Sequence, residues 1–218
     1  MPHQSHPQAT TQAGEPRLSR DFFARSAIDV ARQVLGTKLV RLERGPSRIS
    51  GWITEAEAYI GPEDLASHAR HGRTDRNAAM WGEPGHAYVY FTYGIHWMLN
   101  LVTEVDGRPG AVLVRGMLPD EGLETIRRRR NRPDAQLTDG PAKLCQALAI
   151  DGTLDGHDLC VPDAELYLTS GVEIADRAVT IGPRVGLNHV PEPWLSQPWR
   201  FRVNPKHLTD IVEKESGA

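Results

Sequence analysis

Between Lys38 and Tyr59 the chain alternates apolar and polar positions in the two-residue rhythm of half-buried strands. Two strands are predicted there, Lys38 to Leu42 and Arg48 to Tyr59. Upstream, Ile28, Ala31, Val34 and Leu35 fall at helical spacing behind the capping residue Ser26, and Gly36 is the stop signal. Pro62, Glu63 and Asp64 predict a short helix or turn leading to His68. Strands follow near His86 to Tyr93 and Ile95 to Val102, joined by a tight turn around Gly94, and another near Ala111 to Leu118. A helix is expected to begin at Asp120, and a second at Asp139-Gly140-Pro141, where proline suits the first turn. Beyond Leu159 come short strand-like pieces, Glu165 to Leu168, Ala178 to Ile181 and Trp199 to Val203, split by Pro and Gly. Helices mixed with antiparallel strands, without βαβ regularity, predict an α+β fold.

At 218 residues the chain can bury one good core, and no internal repeat or linker divides it. Met1 to Pro16 is rich in Gln, Ser, His, Thr and Pro and reads as a disordered tail without the apolar stretch of a signal peptide. Residues 17–207 form the expected domain, and 208–218 a flexible C-terminal tail. No apolar run reaches the roughly 20 residues of a membrane span. Two cysteines, Cys145 and Cys160, make neither a disulfide framework nor a zinc site, so buried structural thiols in a reduced cytoplasmic setting are expected.

The net charge of −3 argues mildly against a nucleic-acid partner. Its distribution softens that, because Arg127 to Arg130 and Arg132 form a compact basic run. Such a run is also what a solvated helix face looks like, and Glu124 with Arg128 at i,i+4 fits that reading. Lys143, in the first turn of its helix, opposes the helix dipole unless an anion is near. It is read either as a phosphate contact or as a plain exposed lysine.

The chemistry concentrates in one stretch. Four of the five tyrosines lie between Tyr59 and Tyr93, beside Glu55 and Glu57. Strand alternation places Glu55, Glu57 and Tyr59 on one face, and Tyr88 and Tyr90 on one face of their own strand. A carboxylate ringed by aromatic planes can hold a flat group and deliver water to it, as a glycosidase does. Arg115, in the same predicted sheet, either holds Glu57 and its water or makes a structural salt bridge. Tyr93 stands at a hairpin apex beside Gly94, where a bulky exposed aromatic suits insertion into a base stack. Tyr88 reads as strand packing, and Asn100 as an amide that reads a planar ligand's edge or a satisfied core residue.

These residues fall in E-A-E-A-Y-I-G-P-E-D-L-A-S-H (Glu55 to His68), Y-V-Y-F-T-Y-G-I (Tyr88 to Ile95) and G-P-A-K-L-C-Q-A-L (Gly140 to Leu148). With R-G-M-L-P (Arg115 to Pro119) and E-G-L-E-T-I-R (Glu121 to Arg127), the chain closely resembles the alkyladenine (3-methyladenine) DNA glycosylases of the mammalian alkyladenine type, from about Leu18 to Val203. The resemblance implies a single domain with a mixed, mainly antiparallel curved sheet, helices around it and a protruding DNA-inserting hairpin. It implies a monofunctional base-excision enzyme, working as a monomer from the minor-groove side of damaged duplex DNA, without cofactor or metal. Glu57 would activate the water and Arg115 lie near it. Tyr59, His68 and Tyr90 would stack on a flipped-out base, Asn100 would discriminate against guanine, and Tyr93 with its neighbour Ile95 would enter the duplex. The pocket role of His68 comes from the resemblance alone. With a DNA partner, Lys143, Arg127 and Arg128 are the candidate phosphate contacts. This chain departs from the mammalian members at Ile95, where they carry methionine, at His96 and Trp97, and in a longer Thr103 to Gly110 segment.

Three other readings compete. A metal-dependent hydrolase would use Glu55, Glu57, His68 and His71. A glycosylase that also nicks the backbone would use Lys143 as a Schiff base. A damage-binding protein would use the pocket without chemistry.

Overall fold

A computed structural model describes residues 16–43, 45, 47–187 and 189–216. The expected tail from Met1 lies outside the described residues apart from Pro16. The chain runs α1 (Arg20–Phe23), α2 (Ala27–Gln33), β1 (Lys38–Leu42), β2 (Arg48–Tyr59), β3 (Ala87–Thr92), β4 (His96–Thr103), β5 (Gly110–Glu121), α3 (Leu123–Arg130), α4 (Pro141–Ala147), β6 (Leu166–Thr169), β7 (Val179–Gly182), β8 (Arg200–Val203) and α5 (Pro205–Ser216). Two 3-10 turns, His68–His71 and Asp75–Trp81, lie between β2 and β3.

All eight strands join one sheet, ordered β3-β4-β5-β2-β1-β6, with β8 beside β2 and β7 beside β8. Its named strand pairs are all antiparallel, within the α+β class expected. β2 is the organising strand. β5 pairs along one edge of it, while β1 takes the first half of the other edge and β8 the second.

Alternation along the strands sorts the sheet into two faces. Ala56 and Ala58 of β2, Val112 and Val114 of β5, Leu99 and Leu101 of β4 and Val89 of β3 belong to the main core, packed with Val30 and Ala31 of α2 and Leu144 and Leu148 of the α4 region. The intervening residues, Glu57, Leu113, Asn100, Met98, Tyr88 and Tyr90, point to the other face. A smaller cluster there joins Tyr88, Val102 and Ala111 to Met80 and Ala69 from the 3-10 turns. The sheet is thus greasy on one side and chemically equipped on the other.

Three expectations are corrected. The helix expected from Asp120 starts at Leu123, because β5 continues through Glu121. Gly122 breaks the strand with a left-handed φ of 74°, and a Cβ there would meet Ile49 at 2.8 Å. Cys145 is buried as expected, but Cys160 is only half-buried. The segment from 208 is not a tail: α5 is helical to Ser216, with Leu208 fully buried and Ile211 and Val212 packed on the core. Spacing at i, i+3 and i+4 puts those three on one face. No helix among the described residues is long and apolar enough to cross a membrane. Leu208→Ala is expected to cost about 2–5 kcal/mol of folding stability. An unchanged urea midpoint would show that α5 is not part of the cooperative core.

Candidate active site

Glu57 sits at the centre of the equipped face with no solvent exposure. Its Oε1 accepts from the Val185 N–H at 2.7 Å, and its Oε2 from the Tyr59 hydroxyl at 2.9 Å. Arg115 Nη1 reaches Oε2 at 3.3 Å, and its Nε lies 3.3 Å from Oε1 and 3.0 Å from Glu55 Oε1. Arg200 Nη1 approaches Glu55 Oε1 from β8 at 3.4 Å. Glu55 thus meets two arginines, and Arg115 bridges the two acids.

The β2–β5 register explains how Arg115 does so. Glu55 pairs with Gly116 and Ala56 with Val114, so Arg115 is an extra residue at a β-bulge. A bulge re-aims a side chain at the cost of one ladder position, which here places the guanidinium between the two carboxylates.

Burial pushes the Glu57 carboxyl above its ordinary 4.5, and the charge of Glu55 adds to this. Arg115, the Val185 N–H and the Tyr59 hydroxyl hold it down. Burial, then the Glu57 charge, raises the Tyr59 phenol well above its ordinary value, so Tyr59 keeps its proton and serves as donor.

Beside this carboxylate lies a cavity of about 320 Å³, lined by Tyr59, His68, Tyr88, Tyr90, Tyr93, Asn100 and Arg115 among others. That volume is in the range of small-molecule sites, roughly 300–1,000 Å³. The His68 and Tyr90 rings meet edge-on at 4.5 Å, and Tyr88 and Tyr90 lie 5.3 Å apart. His68 Nδ1 and the Tyr88 hydroxyl are hydrogen-bonded at 2.8 Å. Asn100 Nδ2 donates to the Tyr88 carbonyl across the β3–β4 pair at 3.0 Å. Glu57 is not on the cavity wall; the Tyr59, Arg115 and Val185 groups that bond it are.

The β3–β4 hairpin ends in Tyr93, 84% exposed, and Ile95, 69% exposed. Tyr93 has a φ of 53° and Gly94 of 68°, and the Ile95 N–H closes the turn on the Thr92 carbonyl at 3.2 Å. A left-handed conformation is unfavourable for a bulky aromatic. An exposed tyrosine in a strained turn has no folding rationale, which points to a use outside the molecule.

The structure therefore brings Arg115, Tyr59, His68, Tyr90, Asn100 and Tyr93 to one cavity, with Glu57 buried behind its wall. The other candidates stand apart. Arg127 is forked between Glu124 and Asp134, at 2.5 and 2.6 Å, and Arg128 reaches Thr125 Oγ1 at 3.5 Å. Lys143 pairs with Asp139 at 2.9 Å and is not part of the cavity wall, which weakens both its phosphate and its Schiff-base readings. Among the described residues no group of three or more His, Cys, Asp or Glu side chains is placed to hold a metal ion. The Glu55, Glu57, His68, His71 alternative thus has no assembled ligand set. Sequence reasoning missed Val185, whose contribution is a backbone N–H, and Arg184, which lies fully buried against Asp64.

Burial, helped by the charges of Arg76 and Arg70, lowers the His68 imidazole to about 4 from its ordinary 6.5. The ring is therefore neutral at physiological pH. Because the unfolded chain binds this proton more readily, His68 contributes stability that is present above about 6.5 and lost as the pH falls towards 4. An NMR titration is expected to place the His68 inflection near 4. An inflection at the ordinary value would show that the ring is solvated and the pocket open.

A family profile described as methylpurine-DNA glycosylase matches residues 21–207. A protein of Methanocella arvoryzae, provisionally named a 3-methyladenine DNA glycosylase, is 45% identical over 188 residues, covering 85% of this chain and 92% of its own length. The DNA-3-methyladenine glycosylase of Homo sapiens is 39% identical over 209 residues, covering 91% of this chain and 69% of the human protein. That of Mus musculus is 40% identical over 210 residues, covering 91% and 62%. The aromatic cavity with its buried glutamate lies within the matched span, and the chain belongs to the methylpurine-DNA glycosylase family.

Proposed function

We propose that this protein is a monofunctional DNA glycosylase that removes alkylated purines such as 3-methyladenine, and neutral lesions such as hypoxanthine and ethenoadenine, from duplex DNA. The observation that carries the reading is the buried Glu57 behind an aromatic cavity of about 320 Å³, large enough for a purine. The damaged nucleotide is rotated out of the helix and its base enters between Tyr59, His68 and Tyr90. A methylated purine carries positive charge, which aromatic faces attract. A neutral His68 adds no repulsion to that charge. Asn100 lines the cavity, where an exocyclic amino group of guanine would crowd it.

Glu57 takes a proton from water, whose oxygen bonds to C1′ as the N-glycosidic bond breaks. The bond's electron pair leaves with the base and cancels its positive charge, so a methylated base departs without help from an acid. A neutral base takes the pair as an anion and recovers the proton that Glu57 took from water. The carboxylate also stabilises the oxocarbenium-like charge that grows on the sugar. Both Glu57 oxygens already have hydrogen-bond partners. The 3.3 Å contacts from Arg115 are the longest of these, and a water entering beside Arg115 would take their place. Tyr93 and Ile95 fill the gap left in the stack from the minor groove, as one molecule per lesion. No step requires a metal or cofactor.

Free base released from methylated, inosine and ethenoadenine duplexes in EDTA tests this directly. Glu57→Gln is expected to slow release by about 10²–10⁴-fold, the usual contribution of a general base. Lesion binding without release by the wild type would leave a damage-binding protein. Activity should fall as the pH drops through the raised Glu57 value, above 4.5, and Arg115→Gln should move that limb higher. A limb left in place by Arg115→Gln would detach Arg115 from the carboxylate.

Tyr93→Ala is expected to weaken lesion-duplex binding by about 1–3 kcal/mol, the worth of one base–aromatic stack. Folding stability should not fall with it. Unchanged affinity would remove the hairpin tip from DNA contact.

A further inference from the structure

Among the described residues, the most heavily buried charge pair is not in the cavity but behind it. Arg184 and Asp64 both have fully buried side chains, and the guanidinium meets the carboxylate twice, at 2.5 and 2.9 Å. Arg184 also donates to the Ala58 carbonyl at 3.0 Å and the Trp194 carbonyl at 3.3 Å. Its plane lies over the rings of Tyr59 and Trp199, at 4.7 and 4.8 Å. Ala58 is the β2 residue between Glu57 and Tyr59, and its own N–H donates to the Trp199 carbonyl at 2.9 Å. One guanidinium therefore joins the end of β2, the turn after it, the 194–199 segment and its own loop.

Desolvating such a pair is expensive, and packed apolar side chains would stabilise a fold as well. The return here is geometric. The next residue, Val185, supplies the N–H at 2.7 Å from Glu57 Oε1. Val185 is itself 45% exposed and is followed by Gly186 at a φ of 86°, so side-chain packing does not hold that N–H in place.

We propose that Arg184, held by Asp64, is a positioning residue for Glu57: it locks residues 184–185 against β2 so that the Val185 N–H fixes the carboxylate's aim at the attacking water. This rests on Glu57 being the base. Lysine cannot replace it, because the function needs a planar fork that binds a carboxylate twice and stacks between two rings. The groups facing Glu57 are Glu55 and Tyr59 from β2, Arg115 from β5, Tyr90 from β3 and the Val185 N–H, with Arg200 of β8 acting on Glu55. The Val185 N–H is one of the donors that favour the charged form, so loosening it raises the pH at which Glu57 becomes competent.

The test uses Arg184→Lys and Arg184→Met in the full chain, beside Glu57→Gln. Single-turnover release of hypoxanthine from an inosine duplex is followed across pH. Rates are expressed per molecule able to bind a duplex carrying a tetrahydrofuran abasic analogue. The expected result is a loss on the order of 10²-fold, the cost of a small misplacement of a catalytic group. Affinity for the analogue is unchanged, and the acid limb moves to higher pH. A wild-type rate and profile in Arg184→Lys would overturn the proposal. So would a slower rate with the limb unmoved, or an absence of binding-competent protein in both variants, since each assigns Arg184 to the fold alone. Wild-type release by Glu57→Gln would sink the base assignment as well. An inactive Glu57→Gln beside an unaffected Arg184→Lys would sink only the positioning role.

Discussion

A carboxylate taken out of water keeps its charge only if the protein replaces the lost hydration, and this molecule is arranged around doing so for Glu57. Burial pushes that group towards neutrality. Three donors from three parts of the chain answer it: a phenol from the same strand, a guanidinium from a bulge on β5, and a backbone N–H from the loop after β7. Each donor needs its own support. Tyr59 lies under the Arg184 guanidinium, Arg115 is shared with Glu55, and Val185 adjoins a buried ion pair.

The division of the sheet into two faces makes this possible. Helices α2 and α4 bury the apolar face, leaving the opposite face free to carry polar and aromatic groups without loss of the core. The 3-10 turns and the 184–187 loop cover that second face only in part, and the cavity is the uncovered remainder. The β3–β4 hairpin extends from the same face, so tip and pocket share one rigid element.

Much of this was legible in the chain, and for identifiable reasons. The bounds of β1 and β2 could be read because alternation is clear over Glu55 to Tyr59 and both strands are flanked by turn residues. Glu57, Tyr59, Tyr90 and Arg115 stood out through strand alternation within one predicted sheet, and Tyr93 through its place at a hairpin apex. His68 did not, since a 3-10 turn has no periodicity to reveal where its ring points; only the likeness to known glycosylases placed it at the pocket. The Asp120 helix start failed because Asp and Pro in a strand end look like a cap. Helix α5 was missed although Leu208, Ile211 and Val212 were correctly spaced, because its charged surroundings resembled a tail. Nothing in a sequence marks which backbone N–H will meet a carboxylate 128 residues away, so Val185 was invisible and Arg184 with it.

The position of Glu57 on β2 also bears on how such a protein can diverge. This one strand holds the carboxylate, a wall of the pocket and the middle of the core, and it touches β1, β5 and β8 at once. A substitution that adjusts its chemistry disturbs three neighbours, so drift there is penalised twice. The hairpin tip and the turns over the pocket carry no such double duty. Descendants exploring new lesions would vary at the rim and inherit the strand unchanged.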